Sequence, residues 1–424
     1  MINQKSLDAV SKSSFGKNFC KPLYDSYCFS RIPATIKYLL TGSGTATLPK
    51  DTFGGADQFD NVVLLLIDGF GWQFFEKYSQ KYPFLKRFID AGIASKITSQ
   101  FPSTTANHVT CINTGLTVGQ SGVYEWFYYE PLLDRMIAPL LFSFAGDREI
   151  NTLNETGISP SQLFPTRTLY QELKEKKVKS YVVQHDAIAY SPYSQTLCSG
   201  AEQVPYHTFT DGLKNILKIC EKGSSGPSYF CLYFGDIDSA GHRHGIDSPQ
   251  FENAVDECWK TMEEIFWTGL QKTKKKTACI LIADHGMVPV NPKTTIYLNQ
   301  EISDIDRFFK KNRQGESLVP AGSCRDFFLH IKDEMLGEAQ EFLANKFKKC
   351  AEVYLTKELI EKGFFGQKRP SKDFLSRVGN LVILPYENEA IWWYEKHRFE
   401  QHFYAAHGGL TRSEMETIFL FMEI

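Results

Sequence analysis

Five separated fragments of the sequence combine aspartate, histidine and threonine side chains. The fragments are LLLIDGFG with Asp68, FPSTTANH with Thr104 and Thr105, GDIDSAGHRHG with Asp238 and His242, IADHGM with Asp284 and His285, and AAHGGLTRSEM with His407. Carboxylates supply negative charge, imidazoles supply nitrogen ligands, and the glycines beside each set let the backbone turn closely. The combination predicts a site for divalent metal ions.

The two adjacent threonines could supply a nucleophile. The stretch SQFPSTTANHVTCINTGL predicts a strand that passes into a helix at Thr104 and Thr105. A threonine at this corner can cap the helix, or it can attack a substrate if its proton is removed. A coordinating divalent ion lowers the pKa of a bound oxygen, and the positive N-terminal end of a helix favours an incoming phosphate.

Each fragment also has an interpretation without chemistry. Asp68 can be a helix N-cap or a turn residue, and the pair Asp284 and His285 can belong to a turn. His407 alone can be an ordinary histidine, and His244 is a neighbour whose spacing imitates a ligand pair. Independent caps, however, would not require three histidines at predicted strand ends.

Short apolar runs alternate with amphipathic helices along the chain. NVVLLLID (61–68) is a continuous apolar run, typical of a strand buried on both faces. Further strands are predicted at SKITSQF, KSYVVQHD, SYFCLYFGDID, TACILIADHG and ETIFLFMEI, and helical spacing runs through WQFFEKYSQKYPFLKRFIDAG. This alternation predicts an α/β fold with a mostly parallel central sheet flanked by helices, in which ligands gather at the carboxyl ends of the strands.

Residues 295–394 differ in composition from the rest of the chain. They contain GQKRPSKD, charged helices such as GEAQEFLANKFKKC, and few long apolar runs. We therefore expect an inserted α+β lid subdomain at 295–394, over the strand ends of a catalytic domain formed by 1–294 and 395–424.

Composition and charge exclude several classes of protein. The chain has 424 residues, of which 42% are hydrophobic and 23% charged, as in soluble globular proteins, and its net charge of -2 indicates no nucleic-acid surface. The ten cysteines form no CxxC pair and several lie in apolar runs, which predicts buried free thiols in a reducing compartment.

The N-terminal residues and the length of the apolar runs indicate where the protein is located. The first residues, MINQKSLDAVSKSSFGKNFC, contain no apolar core of a secretory signal, and no run reaches about 18 apolar residues. We therefore expect no transmembrane segment and, by default, a cytoplasmic protein, with export by a signal-independent route as the alternative.

The ordered fragments resemble the alkaline phosphatase superfamily, and most closely its type I phosphodiesterase / nucleotide pyrophosphatase family. The strand ending in Asp-Gly, the Pro-x-x-Thr turn, the Asp-x-x-x-His pair, the Asp-His-Gly and the late His-Gly occur in the order of that family. The resemblance runs from the strand before Asp68 to the C-terminus. It implies an alkaline-phosphatase-like fold.

The resemblance also implies ligands for two divalent metal ions. The residues that match the ligands of one ion are Asp238, His242 and His407, and those that match the other are Asp68, Asp284 and His285. Zinc suits this mixture of imidazole and carboxylate best, and manganese fits similar ligands.

The resemblance selects one of the two threonines. The family nucleophile lies three residues after the Pro of the turn and nine before the Thr-Gly that ends the helix, and both counts, from Pro102 and to Thr114, give Thr105. Thr105 is then the nucleophile and a metal ligand. Thr104 becomes a cap or a backbone-bonding hydroxyl.

The activity implied is the hydrolysis of phosphodiester or pyrophosphate bonds through a phospho-threonine intermediate, on a small phosphorylated substrate such as a nucleotide. A phosphomonoesterase or a phosphonate hydrolase would use the same site. The phosphoglycerate mutase type of the superfamily is disfavoured because it uses serine, and a catalytically silent binding module is disfavoured because all six ligands are present. The sequence indicates no oligomeric state.

The chain departs from the family where nucleotide pyrophosphatases carry an Asn that holds a phosphate oxygen. Counting from Gly122, VYEWFYYEP places Trp126 there, with Glu125 before it. Glu125 and Trp126 are therefore candidates for substrate contact, and nucleotide specificity is in question. Asn107 could replace the missing amide, or it could be an Asn on a helix surface.

Two further features have a functional and a structural interpretation. The aromatic residues of VYEWFYYEP could stack on a base or could pack under the predicted lid. Arg325, in AGSCRDFFLHI, could contact phosphate or could form a structural salt bridge.

Overall fold

The fold is built on two β-sheets, which we describe from a computed structural model covering residues 1–45, 47–223 and 226–424. The strands of these sheets are β1 (Asn61–Ile67), β2 (Ile93–Thr98), β3 (Lys179–His185), β4 (Glu202–Tyr206), β5 (Ser228–Phe234), β6 (Thr277–Ile282), β7 (Ala321–Ser323), β8 (Asp326–Leu329), β9 (Ala351–Leu355), β10 (Leu381–Pro385) and β11 (Glu416–Glu423). Shorter strands lie at Ser14–Phe15, Phe19–Cys20, Tyr128–Glu130, Arg135–Ala138, Ser143–Phe144, Val288–Pro289, Ile296–Tyr297, Ile391–Trp392 and Ala405–Ala406.

The larger sheet has seven strands in the order β2-β11-β6-β1-β5-β3-β4. Only β11 runs against its neighbours, β6 and β2, and the other pairings are parallel. This confirms the prediction of a mostly parallel central sheet. Because β1, β5, β6, β3 and β4 point the same way, the residues that follow them emerge at one edge of the sheet.

The central strand β1 shows why the sheet is buried on both faces. Its side chains alternate between two hydrophobic cores, as expected for a period of two residues. One core takes Val63, Leu65 and Ile67, and the other takes Val62, Leu64 and Leu66. Helices on both faces therefore hold β1 rigidly, and with it the acidic residue that follows.

Helices of six or more residues surround the two sheets. They are α1 (Gln4–Ser11), α2 (Ile32–Thr41), α3 (Trp72–Tyr78), α4 (Pro83–Asp90), α5 (Thr105–Thr114), α6 (Leu169–Glu175), α7 (Pro192–Leu197), α8 (Phe209–Lys222), α9 (Asp236–His244), α10 (Pro249–Thr261), continued by a π-helix at Met262–Trp267, α11 (Leu336–Phe347), α12 (Thr356–Glu361) and α13 (Lys372–Arg377).

The helical spacing after β1 is divided into two helices. Helix α3 ends at Tyr78 and α4 begins at Pro83. Proline has no N–H for a helical hydrogen bond and disfavours helical geometry in the residue before it, and Tyr82 is accordingly extended, with φ -107° and ψ 121°. The periodicity predicted the helical residues and missed this break.

The smaller sheet lies within the region predicted to be an inserted subdomain. Its four strands are antiparallel, in the order β7-β8-β10-β9, and Leu343 and Phe347 of α11 share a hydrophobic core with Phe327 and Ile383 of the sheet. The bounds 295–394 and the function of this region as a lid stay predictions.

Two sequence predictions concern the whole chain. All ten cysteines are free, nine of them buried and Cys350 half-buried, as their apolar surroundings predicted. Among the described residues, no helix combines the length and the apolar character needed to cross a membrane.

Candidate active site

The corner with two threonines connects β2 to α5. Thr105 is the first residue of α5, and Thr104 occupies the N-cap position in an extended conformation. The hydroxyl of Thr104 does not cap the helix; it lies near the Glu125 carboxyl and acts to lower the pKa of that group. The Thr105 hydroxyl stands among the predicted metal ligands, in contact with Asp68 and His285. The residue is 9% exposed.

A buried histidine holds this corner in shape. The His108 ring donates from Nδ1 to the Thr104 carbonyl at 2.7 Å and accepts at Nε2 from the Gln100 N–H at 2.9 Å. Burial lowers the pKa of His108 to about 3, so the ring is neutral and keeps Nε2 as an acceptor. Sequence reasoning missed His108, although its position three residues after Thr105 places it on the first turn of the same helix.

Asp68, Asp284 and His285 form one group, the Asp68 cluster, at the ends of β1 and β6. Each contributes a ligand atom, and these atoms lie within 4.8 Å of one another. The Nε2 atom of His285 is 3.3 Å from both carboxylates. Thr105 Oγ1 is 3.2 Å from His285 Nε2 and 3.3 Å from Asp68 Oδ2, so the nucleophile candidate faces this cluster directly.

Asp238, His242 and His407 form a second group, the Asp238 cluster, on α9 and the segment before β11. His242 Nε2 lies 3.3 Å from Asp238 Oδ2 and 3.2 Å from His407 Nε2. The His407 ring also stacks on His285 at a centroid separation of 3.6 Å, which joins the two clusters. All six predicted ligands and Thr105 are therefore brought together.

The imidazoles of His242, His285 and His407 direct their Nε2 atoms toward the carboxylates of the two clusters. Their Nδ1 atoms contact backbone carbonyls, His242 with Ala405 at 2.7 Å, His407 with Ser103 at 2.9 Å and His285 with Gly286 at 3.1 Å. Because a carbonyl only accepts, each Nδ1 carries the proton. In a neutral ring the Nε2 lone pair then faces carboxylate oxygens, an arrangement that a cation stabilises.

The carboxylates of Asp68, Asp238 and Asp284 form no ion pair with a lysine or an arginine among the described residues. Burial raises the pKa of Asp68 well above its usual value, with the charges of Asp284 and Asp238 adding to it, and burial raises the pKa of Asp284 to about 7. Among the described residues, these three acids form ion pairs only with histidines, and Asp238 Oδ1 and Asp284 Oδ2 have no hydrogen-bond partner. Buried charge without a partner is costly, so the donor set fits divalent metal ions.

Tyr233 is a site residue that sequence reasoning missed. It lies on β5, and its hydroxyl donates to Asp68 Oδ2 at 2.5 Å. This hydrogen bond fixes the orientation of a predicted metal ligand. The sequence holds a weak signal for it, because Tyr233 is a polar side chain two residues before the strand opens at Gly235.

A cavity of about 1080 Å³ opens beside the two clusters. Asp68, Thr105 and Asp238 line it together with the predicted substrate residue Trp126. Trp126 is half-buried, so it offers an apolar face to this cavity. Of the aromatic cluster, Tyr124 and Tyr128 instead stack on each other in the core.

The other two predicted substrate residues are buried. Glu125 has a pKa raised to about 8 by burial, and its Oε2 accepts the N–H of Trp126. Asn107 donates to the carbonyls of Pro102 and Tyr124, so its amide hydrogens are engaged by the scaffold and it is not an Asn on a helix surface. A contact of Glu125, Trp126 or Asn107 with substrate stays a prediction.

Asp326 and its neighbour Arg325 are both buried. Burial raises the pKa of Asp326 well above its usual value, and the charge of Glu125 adds to this. Arg325 is fully buried and pairs with Glu414 at 2.9 Å, so the structural interpretation of Arg325 holds. Asp326, which sequence reasoning missed, carries no pattern that would have distinguished it.

The motifs of both clusters lie within a region that matches a known protein family. The family described as type I phosphodiesterase / nucleotide pyrophosphatase matches residues 62–410, which include every residue of both clusters. The chain belongs to this family. The resemblance noted from the ordered motifs is thereby confirmed.

Curated relatives are distant and longer. The chain is 22% identical over 305 residues to ectonucleotide pyrophosphatase/phosphodiesterase family member 3 of Rattus norvegicus, an alignment covering 70% of this chain and 32% of that protein. It is 22% identical over 364 residues to venom phosphodiesterase 2 of Crotalus adamanteus, covering 83% and 41%. The alignments thus span about a third to two fifths of the length of these relatives.

Solved structures show the same fold. Murine ectonucleotide pyrophosphatase / phosphodiesterase 5, as an inactive variant in complex with AMP, aligns with a TM-score of 0.63 at 17% identity, covering 85% of this chain and 87% of that one. The human protein of the same name aligns with a TM-score of 0.63 at 18% identity, with equal coverage. The alkaline-phosphatase-like α/β fold is therefore confirmed.

Proposed function

We propose that this chain is a metal-dependent hydrolase of phosphodiester or pyrophosphate bonds, with Thr105 as nucleophile. The observation that carries the proposal is the position of Thr105 Oγ1, 3.2 Å from His285 and 3.3 Å from Asp68 at the wall of the cavity. A threonine that only capped a helix would not stand among buried carboxylates and imidazoles. Family membership supports the reaction class.

The two clusters supply the ligands for two metal ions. We assign Asp68, Asp284 and His285, with Thr105, to one ion, and Asp238, His242 and His407 to the other. When bound, the ions would supply positive charge that stabilises the attacking and leaving oxygens. Zinc is our first choice, since imidazole and carboxylate ligands suit it, and manganese is the alternative.

The side chains of the chain position the reacting groups. The Thr105 hydroxyl lies within reach of the Asp68 carboxylate, which can accept its proton and direct an oxygen lone pair toward the cavity. Backbone N–H groups at the start of α5 provide partial positive charge for the substrate phosphate. Thr105 is thus prepared for attack on a phosphorus atom held above the helix terminus.

The reaction then proceeds in two displacements. The Thr105 oxygen forms a bond to phosphorus while the bond to the leaving oxygen breaks, and that oxygen takes the electron pair and a proton from solvent. Water next attacks the phosphorylated threonine, releasing the product and restoring the hydroxyl with a proton. Each displacement inverts the configuration at phosphorus, so the sum of both retains it.

We propose nucleotides as the substrate class. The names of the relatives and the AMP complex of the murine structure support this choice, and the Trp126 ring on the cavity wall offers a surface on which a base could stack. A phosphomonoesterase or a phosphonate hydrolase stays the alternative, because the amide expected of a nucleotide pyrophosphatase is absent at Trp126.

A substrate panel should separate these activities. We expect bis-p-nitrophenyl phosphate, dinucleotides and nucleotide sugars to be hydrolysed with kcat/KM at least about tenfold above p-nitrophenyl phosphate, equivalent to ~1.4 kcal/mol of transition-state discrimination. Initial rates with purified, zinc-loaded protein give the comparison. The panel also includes a phosphonate ester, and a preference for it or for the monoester would replace the proposed activity by the corresponding alternative.

Replacing Tyr233 by phenylalanine should weaken metal binding. The substitution removes the hydrogen bond that orients Asp68, and loss of such a bond behind a ligand typically costs about 10–100-fold in metal affinity. Competition with a chromogenic zinc chelator measures the change.

The matched control for this substitution is Tyr229→Phe. Tyr229 lies on the same strand, but its ring stacks on Tyr170, away from Asp68. Zinc affinity should be unchanged in this variant. Equal affinities in Tyr233→Phe and the wild type would show that Asp68 needs no such support.

A further inference from the structure

A third group of potential metal ligands lies at the same edge of the sheet, outside the two clusters. His185 is the last residue of β3, and His207 follows the end of β4. These strands are adjacent and parallel, with His185 opposite Tyr206 in register, so the two imidazoles emerge side by side. Asp186, which begins the short helix Asp186–Ala189, stands with them. We call these three residues the His207 group.

The three side chains have the spacing of a metal site. One ligand atom from each lies within 4.8 Å of the others. The Asp186 carboxylate is 3.0 Å from His185 Nδ1 through one oxygen and 3.1 Å from His207 Nδ1 through the other. Among the described residues, the carboxylate forms ion pairs only with these two histidines.

The hydrogen bonding leaves an unfavourable contact, which a cation bound at His185 Nδ1 in exchange for the Ala187 N–H would remove. His185 Nδ1 accepts the N–H of Ala187 at 3.1 Å, so this atom presents a lone pair and carries no proton. Its 3.0 Å contact with Asp186 is then an approach of two electron-rich atoms. Capping of the short helix accounts for the position of His185 alone, and a hydrogen bond between His207 Nδ1 and the other carboxylate oxygen, at 3.1 Å, brings the second imidazole to the group.

The His207 group also borders the cavity of the candidate active site. His185 and His207 line the same cavity as Asp68 and Thr105. Packing links the two places, because the His185 ring meets Tyr206 edge-on, and the Tyr206 hydroxyl donates to the backbone carbonyl of Tyr233 at 2.8 Å. A ligand held by this group would therefore share a chamber with the substrate.

We propose that His185, Asp186 and His207 bind a further divalent transition-metal ion at the wall of this cavity. Two imidazoles and one carboxylate favour zinc and related ions over magnesium or calcium, and three protein ligands leave a coordination position open. The side chains are 45%, 49% and 82% exposed, so the ion exchanges with solvent and binds more weakly than ions in the buried clusters. The open position is available to an anionic group of a substrate in the cavity.

Zinc stoichiometry tests the proposal on the full chain. Equilibrium dialysis against buffered zinc, with metal determined by mass spectrometry, should show one fewer equivalent in H207A and in D186N than in the wild type. Neither residue caps a helix through its side chain, so circular dichroism should show that both variants are folded. Equal zinc content in the wild type and both variants overturns the proposal.

A matched variant controls for the loss of any exposed histidine. His402 is 76% exposed and lies beside Glu400, but at 3.9 Å and outside any group with ligand spacing. H402A should keep the wild-type zinc content. A loss of one equivalent in H402A as well would show that exposed histidines bind zinc unspecifically, and would overturn the assignment.

The test is independent of the proposed catalytic site. The difference of one equivalent between the wild type and H207A is expected whether or not the buried clusters are loaded. Failure of the buried clusters to bind metal would lower the zinc content of both proteins equally. The two proposals therefore fail in distinguishable ways.

Discussion

Replacing Thr105 by alanine should abolish turnover, with a fall in kcat of about 10³–10⁵-fold, because among the described residues Thr105 supplies the hydroxyl that lies beside both Asp68 and His285. The Asp68 cluster keeps its three other ligands, so the variant should bind zinc and remain folded. Steady-state rates with bis-p-nitrophenyl phosphate, zinc content and thermal unfolding give the three readouts.

Two further variants sharpen this test. Thr104→Ala removes the neighbouring hydroxyl, which contacts the Glu125 carboxyl, and should retain kcat within about tenfold of the wild type. Thr105→Ser keeps a hydroxyl and should retain measurable turnover. A nearly normal rate in Thr105→Ala would contradict the assignment and point to Thr104 or to direct attack by water.

Removing the metal should also eliminate activity. Treatment with a chelator should reduce turnover to background, because among the described residues no lysine or arginine pairs with the buried carboxylates, whose only ion pairs are with histidines. Added zinc should restore the rate, with manganese as the second ion to try. Full activity in excess chelator would contradict a metal-dependent reaction.

Asp238→Ala localises this effect to one cluster. Loss of the Asp238 carboxylate should remove one equivalent of metal and reduce kcat by about 10³-fold or more. His244→Ala is the matched control, since His244 is exposed on the same helix and contributes to neither cluster. Zinc content and kcat of the control should equal those of the wild type. Unchanged metal content in Asp238→Ala would contradict the proposed ligand set.

The sequence predicted the parts of the fold that depend on local pattern. A continuous apolar run such as β1 indicates burial on both faces, and the alternation of strands with helices indicates a parallel sheet. Parallel strands bring their carboxyl ends to one edge, which is why Asp68 and Asp284 could be expected to meet. The break between α3 and α4 was missed because periodicity outweighed the local effect of Pro83.

Side-chain contacts between residues far apart in the chain could not be predicted from the sequence. Tyr233 and Asp68 are far apart in the chain, and their hydrogen bond follows only from the pairing of β5 with β1. The side chain of Asn107 turned out to brace the loop before α5 through backbone carbonyls, which no spacing rule anticipates. His185 and His207 were not singled out, because their neighbourhood depends on β3 and β4 being adjacent.

The stereochemical course at phosphorus tests the central claim most directly. A chiral phosphorothioate diester, hydrolysed by the zinc-loaded protein in isotopically labelled water, yields a product whose configuration can be assigned by ³¹P NMR. Transfer to Thr105 followed by hydrolysis predicts net retention, since two inversions cancel. Net inversion would mean a single displacement by water and would contradict Thr105 as the nucleophile.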